Sequence, residues 1–219
     1  MNYLCVLLKI ITTKQIGEKV EVFKLEEAGF DSAMYGFSLS YRKSGTSRAE
    51  WWTQPRKERT YKAALVNAGR DKGHNKFLEH MQVWLSVNAT LEWWKQFDTY
   101  RIGMSKQSAS TMHTLDADVI YPEHFDVKAE EFVCKEDHQA YLYYLSMISR
   151  QSSRVKSKML PQAYLQEREV NLNYKTIRHI AMQRFTHRIK DWQKFLEETI
   201  ASLDHPEFIK LEYDVEVKL

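Results

Sequence analysis

Two kinds of periodicity within one chain of 219 residues predict an α+β fold. The first is apolar alternation. Val20 and Val22 oppose Glu21 and Phe23, and Met81, Val83, Leu85 and Val87 alternate with Gln82, Trp84 and Ser86; a period of two marks a strand. The second is helical spacing. Tyr141, Tyr144, Leu145 and Ile148 form one stripe within 137–156, and two further helices are read over 173–185 and 187–202. No repeat, low-complexity tract or linker divides the chain, so a single domain over 1–219 is expected.

The elements follow in order. The apolar run Leu4 to Ile11 reads as a buried strand. It is too short to span a bilayer, which takes roughly 20 residues, and it lacks the basic start and cleavage site of a signal peptide. Glu18 to Leu25 is a strand, and Asp31 is the expected N-cap of a helix toward Tyr41, with Ala33, Met34 and Phe37 at helical spacing. Lys43 to Arg59, with Gly45, Pro55 and several basic residues, reads as an exposed loop. Thr60 to Ala68 is helical and stops at Gly69. After the half-buried strand of residues 81–87, Thr90 caps a helix carrying Trp93, Trp94 and Phe97, and Gly103 lies past its end. Leu115 to Phe125, with Pro122, reads as irregular, and the tail Phe208 to Leu219 alternates as a last strand.

Composition narrows the function. Apolar content of 43% and charge of 28% are those of an ordinary globular chain. A net charge of +3 does not demand a nucleic-acid partner, and none is expected, but it leaves room for an anionic small ligand. Twelve Tyr, ten Phe and six Trp favour subunit interfaces as well as a core, which predicts oligomerisation. Cys5 and Cys134 make no disulfide framework and suit a reducing, cytoplasmic setting without membrane attachment.

Three constellations carry candidate chemistry. In Gly73-His74-Asn75-Lys76-Phe77-Leu78-Glu79-His80 the histidines are six apart rather than the four a zinc-binding helix needs, so no metal site is expected. The bland reading is a helix start with a capping histidine, although His74 can donate to a phosphate or a flavin oxygen. The run Tyr100 to Met112 is dense in hydroxyls: it is either a solvated loop or the lining of a site for a polar, phosphorylated ligand. Arg101 there can bind a phosphate or carboxylate bidentately. The third segment holds Asn173, Lys175, His179, Gln183 and Arg184 along a helix whose Ile177 and Ile180 face the core. It is either an amphipathic helix with a basic outer face or a phosphate receiver.

Together these segments resemble the flavin-dependent thymidylate synthase family. Gly73-His74 and Glu79-His80 stand in the register of its Gly-His start. Its signature falls without gaps on Tyr100, Arg101 and Ile102, then Ser105, Gln107, Ser108, Ser110 and Met112. Leu160-Pro161, Asn173 and, eleven residues later, Arg184 match at the same spacing, with Lys175 where the family has Arg. The resemblance covers residues 18–202. The chain departs from the pattern at Tyr100 and Ile102, where the family has arginines, and at Ser108 and Met112.

The resemblance implies a mostly antiparallel sheet packed by several helices and a homotetramer in which several chains build each site. It implies FAD as cofactor, reduced by NADPH, and transfer of a one-carbon unit from methylenetetrahydrofolate to dUMP or a related pyrimidine nucleotide. By the same likeness His74, Arg101, Asn173 and His179 would hold the cofactor. Ser105, Gln107, Ser108, Ser110, Lys175 and Arg184 would bind the nucleotide, with Ser110 and Arg184 nearest the chemistry. The alternatives are a different nucleotide or one-carbon product on the same scaffold, and a non-catalytic nucleotide-binding or structural homo-oligomer.

Overall fold

The computed structural model describes residues 20–71, 73–117, 120–209 and 211. The expected strand at Leu4 to Ile11 and the tail beyond Leu211 lie outside the described residues.

Four antiparallel strands, β1 (Glu21–Ala28), β2 (Gln82–Thr90), β3 (Met104–Ser108) and β4 (Leu165–Asn173), form a sheet in the order β1-β2-β4-β3. The alternation read in β2 is borne out: Val83, Leu85, Val87 and Ala89 are fully buried while their neighbours are half-exposed. β1 begins and ends later than expected and shifts register between Lys24 and Glu26.

β4 escapes the apolar pattern because its inward face mixes Val170 and Leu172 with Gln166 and Arg168. Those polar groups are satisfied inside. Gln166 donates to the Ala109 carbonyl (3.0 Å), and Arg168 reaches both oxygens of Asp98 (3.2 and 3.1 Å). A buried polar group that finds partners costs little.

The helices are α1 (Phe30–Ser38), α2 (Arg48–Trp51), α3 (Gln54–Ala68), α4 (Leu91–Phe97), α5 (Thr111–Ala117), α6 (Lys135–Ser149), α7 (Ser153–Met159), α8 (Tyr174–Arg184) and α9 (Lys190–Ser202), with short 3-10 turns between some of them. Asp31 does not cap α1; it lies in the first turn, and Gly29 is the N-cap. Gly29 sits at φ +95°, and a Cβ there would collide with the His80 carbonyl, so only glycine makes this entry.

The basic stretch 43–59 is not a loop. Ser47 and Glu50 form a reciprocal capping box that starts α2, and Pro55 stands in the first turn of α3, where its missing N–H costs nothing. The expected long helix over 137–156 breaks at Arg150 to Ser152, where the chain turns and Ser152 begins α7. Leu115 belongs to α5 rather than to an irregular stretch, and residues 76–79 form a 3-10 turn with His80 at its C-cap. Thr90 caps α4 as expected, its hydroxyl accepting from the Trp93 amide at 3.1 Å.

One face of the sheet buries the main core. α4 and α9 bring Trp93, Trp94, Phe97, Trp192 and Phe195 together, with Trp93 and Trp192 centroids 4.7 Å apart. α8 adds Ile177 and Ile180. Arg178 of α8 is buried rather than on a basic outer face, and it donates to the Gly69 carbonyl (3.1 Å) and to Asp71 (2.9 Å), closing the end of α3. A second, smaller core around Phe125, Leu145 and Ile148 is built by the segment between β3 and β4. Among the described residues the opposite sheet face stays open, with Phe23 68% and Leu25 51% exposed.

Candidate functional site

β4 runs directly into α8, and Asn173 makes the join. Its side-chain oxygen accepts from the Thr176 amide at 2.8 Å and caps the helix. Residues 100–103 run alongside α8 from one end to the other. The Gly103 carbonyl accepts from the Asn173 amide (3.2 Å) and the Ile102 carbonyl from the Thr176 hydroxyl (3.0 Å). Gly103 has φ +71°, and a Cβ on it would lie 2.5 Å from the Thr176 oxygen, so the approach requires glycine.

At the far end, Tyr100 is nearly buried and meets the last turn of α8. Its hydroxyl donates to Gln183 Oε1 (2.9 Å) and accepts from Arg184 Nε (3.0 Å). The Arg184 guanidinium lies over the Trp192 ring, 4.9 Å from its centroid. His179 Nε2 is 3.0 Å from Gln183 Nε2, which continues the chain of contacts along the helix. His187 follows the same end. Burial and then the charges of Arg184 and Arg188 hold its imidazole below the ordinary histidine value.

The other sequence-derived residues fall into three places. Arg101 is exposed in the 100–103 run, between Arg184 and Asn173, with no acceptor among the described residues. Ser105, Gln107 and Ser108 belong to β3, an edge strand rather than a loop, and all three are exposed, as is Ser110 just before α5. Ser105 pairs with Asn171 and Gln107 with Glu169 on the open sheet face. Lys175 is drawn to Glu79, 2.6 Å away.

β3 is braced from behind by Asp98. Burial tends to raise this carboxyl, but hydrogen bonds from Lys106 and Arg168, and their charges, outweigh it and hold it below the usual carboxylate range.

His74 stands apart from the α8 cluster. It lines a cavity of about 340 Å³ between α1 and the 73–80 segment, with His80, Lys76, Asn67 and Tyr41. Gly36 also lines it, and no atom lies within 4 Å of where a Cβ there would stand. Sequence reasoning named neither Gly36 nor Trp192. The i, i+3, i+4, i+7 spacing of Ala33, Gly36, Phe37 and Ser40 is the signal that marks the cavity wall.

The family model of the thymidylate synthase complementing protein matches residues 27–195. The chain belongs to that family. No curated protein matches it. Among solved structures, the fold is similar to Helicobacter pylori thymidylate synthase X with FAD and dUMP, at 16% identity over 90% of this chain and 99% of that one, TM-score 0.62. It is similar to flavin-dependent thymidylate synthase ThyX from the same organism, complexed with FAD and dUMP, at 13% identity, 87% and 98% coverage and TM-score 0.66. A UMP/dUMP methylase, PolB, from Streptomyces cacaoi, bound with 5-Br UMP, follows at 12% identity, 84% and 88% coverage and TM-score 0.54. These likenesses establish the fold.

The FAD in the two Helicobacter pylori structures raises the question of which residues here could hold a flavin. The His74 cavity offers imidazole, amide and ammonium donors beside Phe37, Phe77 and Tyr41, a mixture that takes a flat heterocycle with a polar edge. Of His74, Arg101, Asn173 and His179, only His74 lines this cavity. No group of three His, Cys, Asp or Glu among the described residues is placed to hold a metal.

Proposed function

We propose that this chain binds a pyrimidine nucleotide, dUMP or a close relative, and FAD, and that it transfers a one-carbon unit from methylenetetrahydrofolate to the nucleotide with NADPH as reductant. The observation that carries the reading is Arg184: half-buried over Trp192, held through Nε by Tyr100, with no acceptor for its terminal nitrogens among the described residues. A fixed guanidinium with two free terminal NH2 groups is a receiver for paired oxygens such as those of phosphate or a uracil edge.

Flavin, when bound, supplies the hydride chemistry that side chains cannot. His74, Arg101, Asn173 and His179 would hold it. Ser105, Gln107, Ser108 and Ser110 would donate to the nucleotide from the edge of the sheet, with Arg101 and Lys175 adding charge. Ser110 and Arg184 are the groups nearest the reacting base. In the described residues His74 belongs to the α1 cavity while Arg184 ends α8, so the reading takes its residues from more than one protomer of a homotetramer. The open sheet face with Phe23 and Leu25 is the surface available for such packing. No helix among the described residues is long and apolar enough to cross a membrane.

A non-catalytic nucleotide-binding oligomer is the second reading. It is favoured by Ile102, 89% exposed where the family has an arginine, and by the pairing of Lys175 with Glu79, which spends a cation the site would use. The visible absorption spectrum of the purified protein separates the two. A flavin band that shifts on adding dUMP supports the enzyme and calls for a methyl-transfer assay. A protein that takes up no FAD overturns it.

A further inference from the structure

We infer that Tyr100 is a positioning residue: its hydroxyl, oriented by Gln183, fixes Arg184 so that the guanidinium meets its ligand end-on through its two terminal nitrogens. The inference deepens the nucleotide reading above and rests on it for the identity of the ligand.

A phenol has one proton to donate. Gln183 Oε1, 2.9 Å away, accepts that hydrogen bond, which turns a lone pair of the Tyr100 oxygen toward Arg184 Nε, 3.0 Å away. The Gln183 amide is itself oriented, because its nitrogen lies 3.0 Å from His179 Nε2. With the amide this way round, Gln183 donates and the imidazole nitrogen accepts. The Tyr100 ring cannot swing away. It is 9% exposed and packed edge-on against Trp192 and Phe97, with centroids 6.0 and 6.3 Å away.

Arg184 is therefore held on two sides, by the Trp192 face and by the Tyr100 oxygen. A guanidinium offers paired oxygens either a side-on fork, using Nε, or an end-on fork, using both terminal nitrogens. Tyr100 occupies Nε, so only the end-on fork remains. An arginine at position 100, as in the family pattern, could not accept that bond, since a guanidinium has no acceptor. The substitution at Tyr100 thus removes one charge from the site and orients another.

The test uses Tyr100→Phe, which keeps the ring and removes the hydroxyl, and Gln183→Met, which frees the hydroxyl to rotate. Calorimetric titration with dUMP and with deoxyuridine is run on each, and on Arg184→Ala with and without Tyr100→Phe. Loss of one hydrogen bond predicts about 5–10-fold weaker dUMP binding by Tyr100→Phe and a smaller loss for Gln183→Met. In the Arg184→Ala background Tyr100→Phe should change nothing further. A loss for dUMP alone places the fork on the phosphate; an equal loss for deoxyuridine places it on the base. Unchanged affinity, or an equal loss without Arg184, overturns the inference.

The Arg184 Nε–H resonance gives a ligand-free readout, assigned by its absence in Arg184→Ala. Slow exchange in the parent and fast exchange in Tyr100→Phe support positioning even if dUMP fails to bind, in which case only the nucleotide reading falls. Fast exchange in the parent overturns the positioning whatever the nucleotide does.

Discussion

At the scale of single residues, the charge on Arg184 should be measurable twice. Arg184→Ala is expected to weaken dUMP binding by about 1.5–3 kcal/mol, the cost of a charged hydrogen bond, read by titration; unchanged affinity removes Arg184 from the site. His187 reports the same event independently. Part of what depresses its imidazole is the Arg184 charge, after burial. An anion seated on Arg184 offsets that charge, so the His187 titration followed by NMR should move upward when dUMP is added. A curve that does not move places the anion elsewhere. The helix that starts at Asn173 and ends at Arg184 was legible in the sequence, because Ile177 and Ile180 at helical spacing and a capping asparagine are properties of the chain itself. The role of Tyr100 was not legible. A tyrosine in place of an arginine reads as lost charge until the burial of its ring and the two partners of its hydroxyl are known.

At the scale of elements, the hydroxyl-rich run is held as an edge strand by Asp98, which ties β3 and β4 to the end of α4 through Lys106 and Arg168. Its carboxyl is depressed in the folded protein, so its contribution to stability is present above the unfolded carboxylate value and fades as pH falls through the folded one. Asp98→Asn should lower the urea midpoint at neutral pH by the equivalent of about 1 kcal/mol, a modest figure because the side chain is partly solvated. The gap to the parent should close in acid; a gap that persists would mean the carboxylate charge is not what binds the strand. Legibility differed sharply between elements. β2 declared itself because its inward side chains are all apolar. β4, its neighbour in the same sheet, did not, since Gln166 and Arg168 point inward with partners supplied by distant residues. The helix α2 and the first turns of α3 were masked by their charge, although the Ser47 and Glu50 pair three residues apart carried a start signal; the rest of α3, Thr60 to Ala68 with its end at Gly69, was read correctly.

For the whole molecule, His74 lines the α1 cavity, to which no residue of α8 contributes. Gly36→Leu separates fold from function here. Gly36 has ordinary helical backbone with open space before it, so a larger side chain should leave the thermal midpoint unchanged or raise it, by about 0.5–1 kcal/mol from helix entropy. It would also fill the cavity. Loss of FAD uptake in a stably folded Gly36→Leu assigns the cavity to the cofactor; full uptake excludes it.

The strand order also bears on how the molecule is made. The two central strands, β2 and β4, pair residues as distant in sequence as Gln82 and Asn173, with all of α4 to α7 lying between them. Closing so long a loop must precede the contacts that reward it, which makes this pairing slow relative to the local helices. Asn173 is the last residue of β4, and α8 with Arg184 grows from it. Arg184 meets Tyr100 across 84 residues of sequence, so the bond that fixes its guanidinium is expected to form after the local helices, late in folding.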